Sequence, residues 1–152
     1  MKVYHGSYIA VENPAILPSK FPKDFGDGFY GTNFETQAIR WASRYDTAFV
    51  SIYEYTPNVL LKTLTFEEMT ESWLDFIVKC RLGESHDYDL VIGAMANDQI
   101  YNYVSDFIEG ILTREQFWVL AKFKHPTHQV CFCSTEALNT IQFTASKEIK
   151  KS

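Results

Sequence analysis

The stretch Asp24-Phe25-Gly26-Asp27-Gly28-Phe29-Tyr30-Gly31-Thr32 leads from two closely spaced glycines directly into an aromatic segment with the composition of a short strand. Glycine permits backbone conformations and a close approach of a ligand that a Cβ atom would prevent. Residues 33–42 then open with a capping-type residue and place apolar side chains at helical spacing. We therefore expect Tyr30 and Trp41 to converge beside a glycine-lined crevice that admits a flat ligand. A tight turn feeding an ordinary buried helix fits the same spacing.

Length and composition predict one domain that spans residues 1–152. A chain of 152 residues has the size of a single domain, and 46% hydrophobic with 16% aromatic residues excludes disorder. No window approaches the apolar run that a membrane span requires. Residues 1–6 lack the apolar region and cleavage site of a secretory signal, so we expect a soluble, cytoplasmic protein.

The charge and the cysteines exclude several classes of function. A net charge of −5 argues against a general nucleic-acid binder, although it leaves a nucleic-acid substrate open. Cys80, Cys131 and Cys133 are an odd number and suit free thiols better than disulfides. A zinc site at Cys131 and Cys133 with His125 and His128 lacks a complete ligand set, so we expect no metal. Thiols in apolar strand sequence are usually inert, which argues against cysteine hydrolase chemistry.

Hydrophobic periodicity predicts an α+β fold with largely antiparallel pairing. Strands are expected at 2–7, around Tyr30, and at 48–55, 59–64, 89–95, 129–133 and 138–144. Helices are expected after Asn33, from the capping pair Thr65 and Glu68 through Trp73 to Gly83, from Gln99 to about Glu109, and from Thr113 to about Phe123. Because strands dominate both ends and helices the middle, alternating βαβ units are not expected.

The first predicted strand ends at a plausible ligand rim. His5, Gly6 and Ser7 emerge where glycine stops the apolar alternation. The following segment, 8–24, contains three prolines and therefore forms neither a continuous helix nor a central strand. We expect a surface loop there and consider it a candidate lid.

Several segments together resemble a known superfamily. The chain carries Tyr4-His5-Gly6-Ser7 near its start, the 25–30 stretch before a helix, and Gln129-Val130-Cys131-Phe132 near its end. In this order they resemble the diphtheria-toxin and poly-ADP-ribose-polymerase branch of the ADP-ribosyltransferases, which has a His-Tyr-Glu signature on three strands. Nearly the whole chain, including residues 73–76 and 96–98, is similar to a bacterial family of small uncharacterised proteins in that superfamily. The resemblance implies a split antiparallel β-sheet core with helices packed around it.

The resemblance also implies a site for NAD as co-substrate. His5 matches the histidine that holds a ribose hydroxyl, and Gly6 matches the glycine whose backbone grips the nicotinamide amide. Ser7 belongs to the same rim. Tyr30 matches the tyrosine that stacks on the nicotinamide, and Trp41 falls where the polymerases place a second stacking aromatic residue. On their own, a histidine at a strand end and aromatic residues at helical spacing more often have structural roles.

Gln129 occupies the position of the catalytic glutamate and is the main departure from the family pattern. An amide accepts the hydrogen bond of the ribose hydroxyl but supplies no charge, and charge-assisted hydrogen bonds are about twice as strong as neutral ones. This favours transfer of a single unit over polymer growth. Glu54 is a candidate substitute carboxylate, although strand alternation also allows it to face solvent. Asp27 and Ala38 are smaller departures, because relatives have lysine and serine there.

Three functions remain open on the sequence alone. The first is an NAD-dependent mono-ADP-ribosyltransferase that modifies a protein or nucleic acid, in a toxin-like role that implies a cognate antitoxin protein as partner. The second is a weakly active or inactive NAD or ADP-ribose-binding module that acts through a protein partner. The third is an interaction domain that has kept the fold without the ligand. A serine hydrolase is not expected, because no nucleophile-elbow motif is present.

Overall fold

The computed structural model of this protein describes residues 1–17, 23–95, 98–122 and 127–150. The strands are β1 Lys2–Ser7, β2 Phe29–Gly31, β3 Ala48–Tyr55, β4 Thr63–Phe66, β5 Leu90–Met95, β6 Thr127–Phe132 and β7 Ile141–Ile149. The helices are α1 Glu35–Ala42, α2 Glu71–Arg81, α3 Asp98–Ile108, α4 Arg114–Ala121 and the single turn α5 Thr135–Leu138. The predicted α+β class is therefore confirmed.

The strands form two sheets. The first has the order β1-β3-β7 and is antiparallel throughout, with the β-branched and aromatic strand β3 at its centre. The second has the order β2-β6-β5-β4, and within it only β4 and β5 run parallel. Largely antiparallel pairing is thus confirmed over the described strands.

A backbone bridge joins the edges of the two sheets. The Tyr4 N–H donates to the Thr32 carbonyl at 2.8 Å, and the Thr32 N–H donates to the Tyr4 carbonyl at 2.9 Å. Thr32 follows β2 directly, so this bridge places β1 beside β2. The predicted ligand rim at His5, Gly6 and Ser7 therefore lies next to the end of the glycine-rich stretch.

Three apolar clusters hold these layers together. One lies between the second sheet and helices α2, α3 and α4, and centres on Trp73, Leu74, Ile77, Val91, Ile100 and Phe117. A second lies between the two sheets and contains Val3, Phe29, Tyr53, Leu90, Val130 and Phe132. The third joins α1 to the first sheet through Ala38, Ala42, Ala48 and Val50. Burial of these faces is the main stabilising term for a fold of this size.

Two helix predictions are confirmed at the level of their caps. The Thr113 side chain accepts from the Gln116 N–H, and the Gln116 side chain accepts from the Thr113 N–H, as a capping box requires. Helix α2 ends at Arg81, two residues before Gly83, which has a φ of 89°.

Other boundaries were predicted wrongly. Thr65 does not begin a helix but lies in β4, and α2 begins after Thr70, whose side chain accepts from the Trp73 N–H. The predicted strand 59–64 begins only at residue 63, because Val59 and Leu60 are 96% and 89% exposed. Asn33 is not the cap of α1, since Phe34 takes that position without a side-chain hydrogen bond.

The described part of the predicted loop, residues 8–17, contains neither helix nor strand. Its position is fixed at Val11, whose carbonyl accepts from the Tyr53 hydroxyl at 2.6 Å and whose N–H donates to Ser51 Oγ at 2.9 Å. These two hydrogen bonds therefore attach the loop to β3. Pro18 and Pro22 lie outside the described residues, and a lid function for this loop stays a prediction. Across the described parts of the chain, every helix is too short or too polar to span a bilayer.

Candidate functional site

His5 and Tyr30 are joined by a hydrogen bond across the junction of the two sheets. The His5 Nδ1 lies 2.6 Å from the Tyr30 carbonyl oxygen. Because a carbonyl only accepts, Nδ1 must carry the proton, which leaves Nε2 as an acceptor in the neutral ring. Burial lowers the pKa of His5. The imidazole also stacks on Phe29 with 4.3 Å between ring centroids, so its orientation is fixed from two sides.

The backbone of Gly6 faces the same junction. Tyr4 uses its N–H and C=O for Thr32 and not for β3. The pairing of β1 with β3 continues without a shift from Tyr4 to Gly6, and alternate residues of an antiparallel strand direct these groups to the same side. The N–H and C=O of Gly6 therefore point away from β3, towards the position of Tyr30. A strand edge of this kind can hydrogen-bond an amide at both its donor and its acceptor.

The absence of a side chain at Gly6 is required by helix α1. A Cβ atom there would lie 2.2 Å from the Ala38 carbonyl oxygen and 2.8 Å from the Ala42 nitrogen. Helix and strand thus pack backbone against backbone. Of the apolar positions at helical spacing, Ala38 and Ala42 form the inward face of α1 together with Gln37, whereas Phe34 is exposed.

Trp41 lies beside this contact and is half-buried. It stands three residues after Ala38 and so borders the helix face that covers Gly6. Among the described side chains, no ring contact joins Trp41 to Tyr30. The predicted pair of aromatic walls is therefore not in contact, and its role as a ligand-binding pair stays a prediction. Ser7 is half-buried at the end of β1, on the same strand face as His5.

The Tyr30 hydroxyl is held by the glycine-rich stretch. It donates to the Gly26 carbonyl at 2.5 Å and accepts from the Phe25 N–H at 3.2 Å. Burial, with an added effect of Cys131, raises the pKa of Tyr30 far above its usual value. The phenol therefore stays protonated near neutral pH, and what Tyr30 offers a ligand is its ring.

Lys23 was not predicted as a site residue. Its Nζ lies 5.1 Å from the centroid of the Tyr30 ring. Its charge also contributes to lowering the pKa of His5. The face of Tyr30 thus attracts a cation, as expected from the quadrupole of an aromatic ring. Lys23 precedes the glycine-rich stretch and belongs to no motif, so the sequence did not indicate that its side chain lies over the Tyr30 ring.

Gln129 is placed on the same sheet face as Tyr30. Tyr30 pairs directly with Cys131 across β2 and β6, and Gln129 stands two residues before Cys131. The two side chains are consequently diagonal neighbours, a separation that long side chains can bridge. Gln129 is 2% exposed, and its Nε2 has no hydrogen-bond partner among the described residues. An unpaired buried donor is unfavourable, and a ligand acceptor would satisfy it.

Gln37 is a second residue that sequence reasoning missed. Its Nε2 donates to the His128 carbonyl at 2.5 Å, and its Oε1 accepts from the His128 N–H at 3.1 Å. This double contact ties α1, which carries Trp41, to β6, which carries Gln129. Only the fold reveals it, because 91 positions separate the two partners.

A cavity of about 610 Å³ borders this arrangement. Helix α1, the end of β4, β5 and the start of β6 line it, with Phe34, Gln37, Arg40, Glu67, Gly93 and His128 among the wall residues. Gly93 is the strand partner of Gln129, but neither Gln129 nor His5 or Tyr30 is among the residues that line the cavity. Its volume is in the range of small-molecule sites.

Glu54 does not replace the missing carboxylate. It pairs with Lys2 at the far end of β1 from His5, and its Oε1 lies 2.9 Å from the amino group of Met1. The hypothesis that Glu54 substitutes for the catalytic carboxylate is therefore wrong. The side chain of Glu54 is exposed, as the solvent-facing interpretation predicted. Over the described ranges, which leave out His125, no group of three or more His, Cys, Asp or Glu side chains is placed to hold a metal ion.

A buried ion pair fixes the start of the glycine-rich stretch. Asp24 Oδ1 lies 2.7 Å from Arg81 Nη2 and accepts from Arg81 Nε at 2.8 Å, with side chains only 9% and 6% exposed. The Arg81 guanidinium also stacks on Tyr101 at 3.9 Å. Helix α2 thereby anchors the turn that positions Tyr30.

The comparison with known proteins gives a family and no activity. No curated protein and no solved structure matches the chain. A family model described as "Protein of unknown function (DUF3990)" matches residues 1–143, which include every candidate residue named above. The chain belongs to this family of proteins of unknown function.

Proposed function

We propose that this chain is an NAD-dependent mono-ADP-ribosyltransferase with the split-sheet fold of that superfamily. The observation that carries the proposal is the hydrogen bond between His5 and Tyr30, which brings two of the three signature positions to one junction. The third position, Gln129, lies on the Tyr30 face of the same sheet. The proximity of three segments that are distant in sequence supports the proposal.

Each group offers what one part of NAD would need. The Gly6 backbone edge matches the carboxamide of nicotinamide, which has one acceptor and one donor group. The Tyr30 ring offers a π face to the cationic nicotinamide ring, and it already attracts the ammonium of Lys23. The acceptor Nε2 of neutral His5 suits a ribose hydroxyl. Lys23 would move aside from the ring face and could pair with the diphosphate.

The reaction would break the bond between nicotinamide and ribose, with attack by a nucleophile of a macromolecular target on the anomeric carbon. Holding the dinucleotide in a fixed conformation contributes through orientation. Gln129 would contact the 2′-hydroxyl without adding negative charge near the developing oxocarbenium ion. Loss of one preorganised electrostatic contact lowers rates by about 10²-fold, so we expect slow, single-unit transfer. A toxin-like role with a neutralising partner protein is part of this proposal.

A binding module for NAD or ADP-ribose is the second candidate. It is favoured by the neutral amide of Gln129 and by the position of Lys23 over the Tyr30 ring, where a reactive nicotinamide would have to lie. In this reading Lys23 stays over the Tyr30 ring, the other groups bind the dinucleotide, and no bond is broken.

Nicotinamide release separates the two candidates. The purified chain is incubated with NAD, and free nicotinamide is quantified for the wild type and for Gln129→Ala. If the wild type releases nicotinamide and the Gln129→Ala variant does not, the result supports the transferase. Binding without release supports the module, and a thermal shift with NAD detects that binding because a ligand of the folded state raises its stability. If the protein shows neither nicotinamide release nor a thermal shift at millimolar NAD, both candidate functions are overturned.

A further inference from the structure

A second cavity, of about 400 Å³, borders the glycine-rich stretch at Gly26 and Asp27. Its walls are formed by Gly26, Asp27, Cys80, Glu84, His86 and Cys133. Nothing in the proposed transferase chemistry uses these residues. The cavity combines two thiols, an imidazole and two carboxylates in one place.

The two cysteines of the Cys-Phe-Cys segment are in direct contact. Cys131 and Cys133 lie two residues apart and point to the same side, and their Sγ atoms are separated by 3.2 Å. A disulfide bond is about 2.05 Å long, so a small movement would bring the sulfur atoms to bonding distance. Both cysteines are free thiols in this structure.

The thiols differ in their access to the cavity. Cys133 is half-buried and lines the cavity, where a small oxidant can reach it. Cys131 is fully buried behind the glycine-rich stretch, so closely that a Cβ atom at Gly28 would lie 2.4 Å from its Sγ. One sulfur is therefore placed to react first and the other to react only with its neighbour.

The electrostatic environment favours a thiolate at Cys133. Its hydrogen bond with Cys131 lowers the pKa of Cys133 to about 6, and the His86 imidazole acts in the same direction. Burial and Asp89 oppose this effect. The pKa of Cys131 is raised, first by burial, and burial raises the pKa of Cys80 to about 12. The reactive thiolate form is thus concentrated on the more accessible sulfur of the pair.

The neighbouring imidazole is held in place by the backbone. His86 Nε2 lies 2.9 Å from the Phe25 carbonyl and donates to it, and Nδ1 accepts from the Tyr88 N–H at 3.1 Å. His86 therefore connects the cavity wall to the residue that begins the glycine-rich stretch. Sequence reasoning missed His86, because 47 positions separate it from Cys133 and no motif includes it.

We propose that Cys133 and Cys131 form a peroxide-reactive dithiol, in which Cys133 is oxidised first and Cys131 closes a disulfide. The Cys133 thiolate attacks one oxygen of a hydroperoxide, the O–O bond breaks, and the leaving alkoxide or hydroxide takes up a proton. The resulting sulfenic acid is then attacked by the Cys131 sulfur. The S–S bond forms as water leaves with the sulfenic oxygen and the Cys131 proton. In sum, two thiols are oxidised and one hydroperoxide is reduced to an alcohol or water.

Peptide mapping of the full chain tests the disulfide. The reduced protein is treated with an equimolar amount of hydrogen peroxide, quenched, and digested without reductant. We expect the peptide with Cys131 and Cys133 to lose two hydrogen atoms, while Cys80 stays reduced. The same result is expected from Cys80→Ser, which is a matched control because Cys80 lines the same cavity. A disulfide that includes Cys80, or unmodified Cys133, would overturn the proposal.

Single variants test the order of the two steps. In Cys131→Ser, we expect a Cys133 sulfenic acid that dimedone traps. In Cys133→Ser, we expect Cys131 to stay reduced at the same dose, and equal oxidation of Cys131 there would contradict the assigned roles. Because Cys131 is fully buried and its replacement disturbs the core, iodoacetamide labelling of the native wild type provides a second test. Cys133 should react at least about tenfold faster than Cys80 at neutral pH, and equal rates would overturn the proposal.

Discussion

The imidazole of His5 donates a hydrogen bond from Nδ1 to the backbone carbonyl of Tyr30 at 2.6 Å. Because the two residues belong to different sheets, this contact links strand β1, which contains Gly6, to the glycine-rich stretch before Tyr30. It also sets the tautomer of the ring and leaves Nε2 as an acceptor. The arrangement of the whole candidate site depends on this contact.

The first prediction concerns the pH dependence of stability. Burial lowers the pKa of folded His5 below the unfolded value of about 6.5, so the unfolded state binds more protons as the pH falls below that value. Folding stability should therefore decrease on acidification from about pH 7.5 to about pH 5.5, by at most about 1.4 kcal/mol per pH unit for one such group. Urea titrations of the wild type and His5→Gln measure this.

His86 and His128 must be considered in the same experiment. The neighbouring Cys133 thiol raises the pKa of His86, so His86 contributes to the pH dependence with the opposite sign, whereas burial lowers the pKa of His128. Because His86 and His128 are present in both proteins, their contributions cancel when the wild type is compared with His5→Gln. An acid-induced loss of equal size in both proteins would show that His5 is not the group responsible.

The second prediction concerns Gly6. Gly6→Ala would place a Cβ atom 2.2 Å from the Ala38 carbonyl oxygen, so α1 must move away from β1. We expect a loss of about 1–3 kcal/mol in the free energy of unfolding, together with weaker NAD binding. Gly83→Ala is the control, because nothing lies within 4 Å of its Cβ position and its φ of 89° alone costs about 1–2 kcal/mol. It should leave NAD binding unchanged, and a similar binding defect in both variants would refute the specific role of Gly6.

The third prediction concerns the Asp24–Arg81 ion pair. Arg81→Ala leaves a buried carboxylate without its partner, which typically costs about 3–5 kcal/mol. The control is Arg114→Ala, which removes exposed ion pairs with Glu71 and Asp75 that are worth at most about 1 kcal/mol each. Chemical denaturation measures both. Equal losses would mean that the buried pair does not anchor the glycine-rich stretch.

The fourth prediction concerns Gln129. Gln129→Glu restores a carboxylate at the position nearest the proposed reacting bond, and we expect nicotinamide release to rise by about 10²-fold. Gln99→Glu adds the same charge at an exposed position at the start of α3 and should change nothing. Thermal unfolding of both variants shows whether the new buried carboxylate is tolerated. A folded Gln129→Glu variant without increased release would count against the proposed chemistry.

Local patterns predicted much of the fold. The Thr113 capping box and the glycine end of α2 depend on neighbouring residues alone, and both are confirmed. Thr65 also has a capping-box spacing, but its segment pairs with β5 and forms a strand. Tertiary pairing thus overrides a local signal, as it does wherever strand partners compete with a cap.

The residues of the candidate site also fall into those that the sequence predicted and those that only the fold reveals. His5, Gly6 and Tyr30 were predicted as site residues because a family resemblance marks them, and that role stays a prediction. Gln37 and His86 were missed, because their partners are 91 and 61 positions away and no spacing rule connects them. The inward face of α1 was predicted in part: Ala38 and Ala42 of the apolar stripe are buried, as the close approach of Gly6 requires, whereas Phe34 is exposed.

A crystal structure of the chain with NAD tests the central claim most directly. The account predicts nicotinamide on the ring of Tyr30, its carboxamide on the backbone of Gly6, a ribose hydroxyl at His5 Nε2 and the amide of Gln129 within reach of the nicotinamide ribose. Dinucleotide bound elsewhere on the molecule, with His5 and Tyr30 untouched, would contradict it.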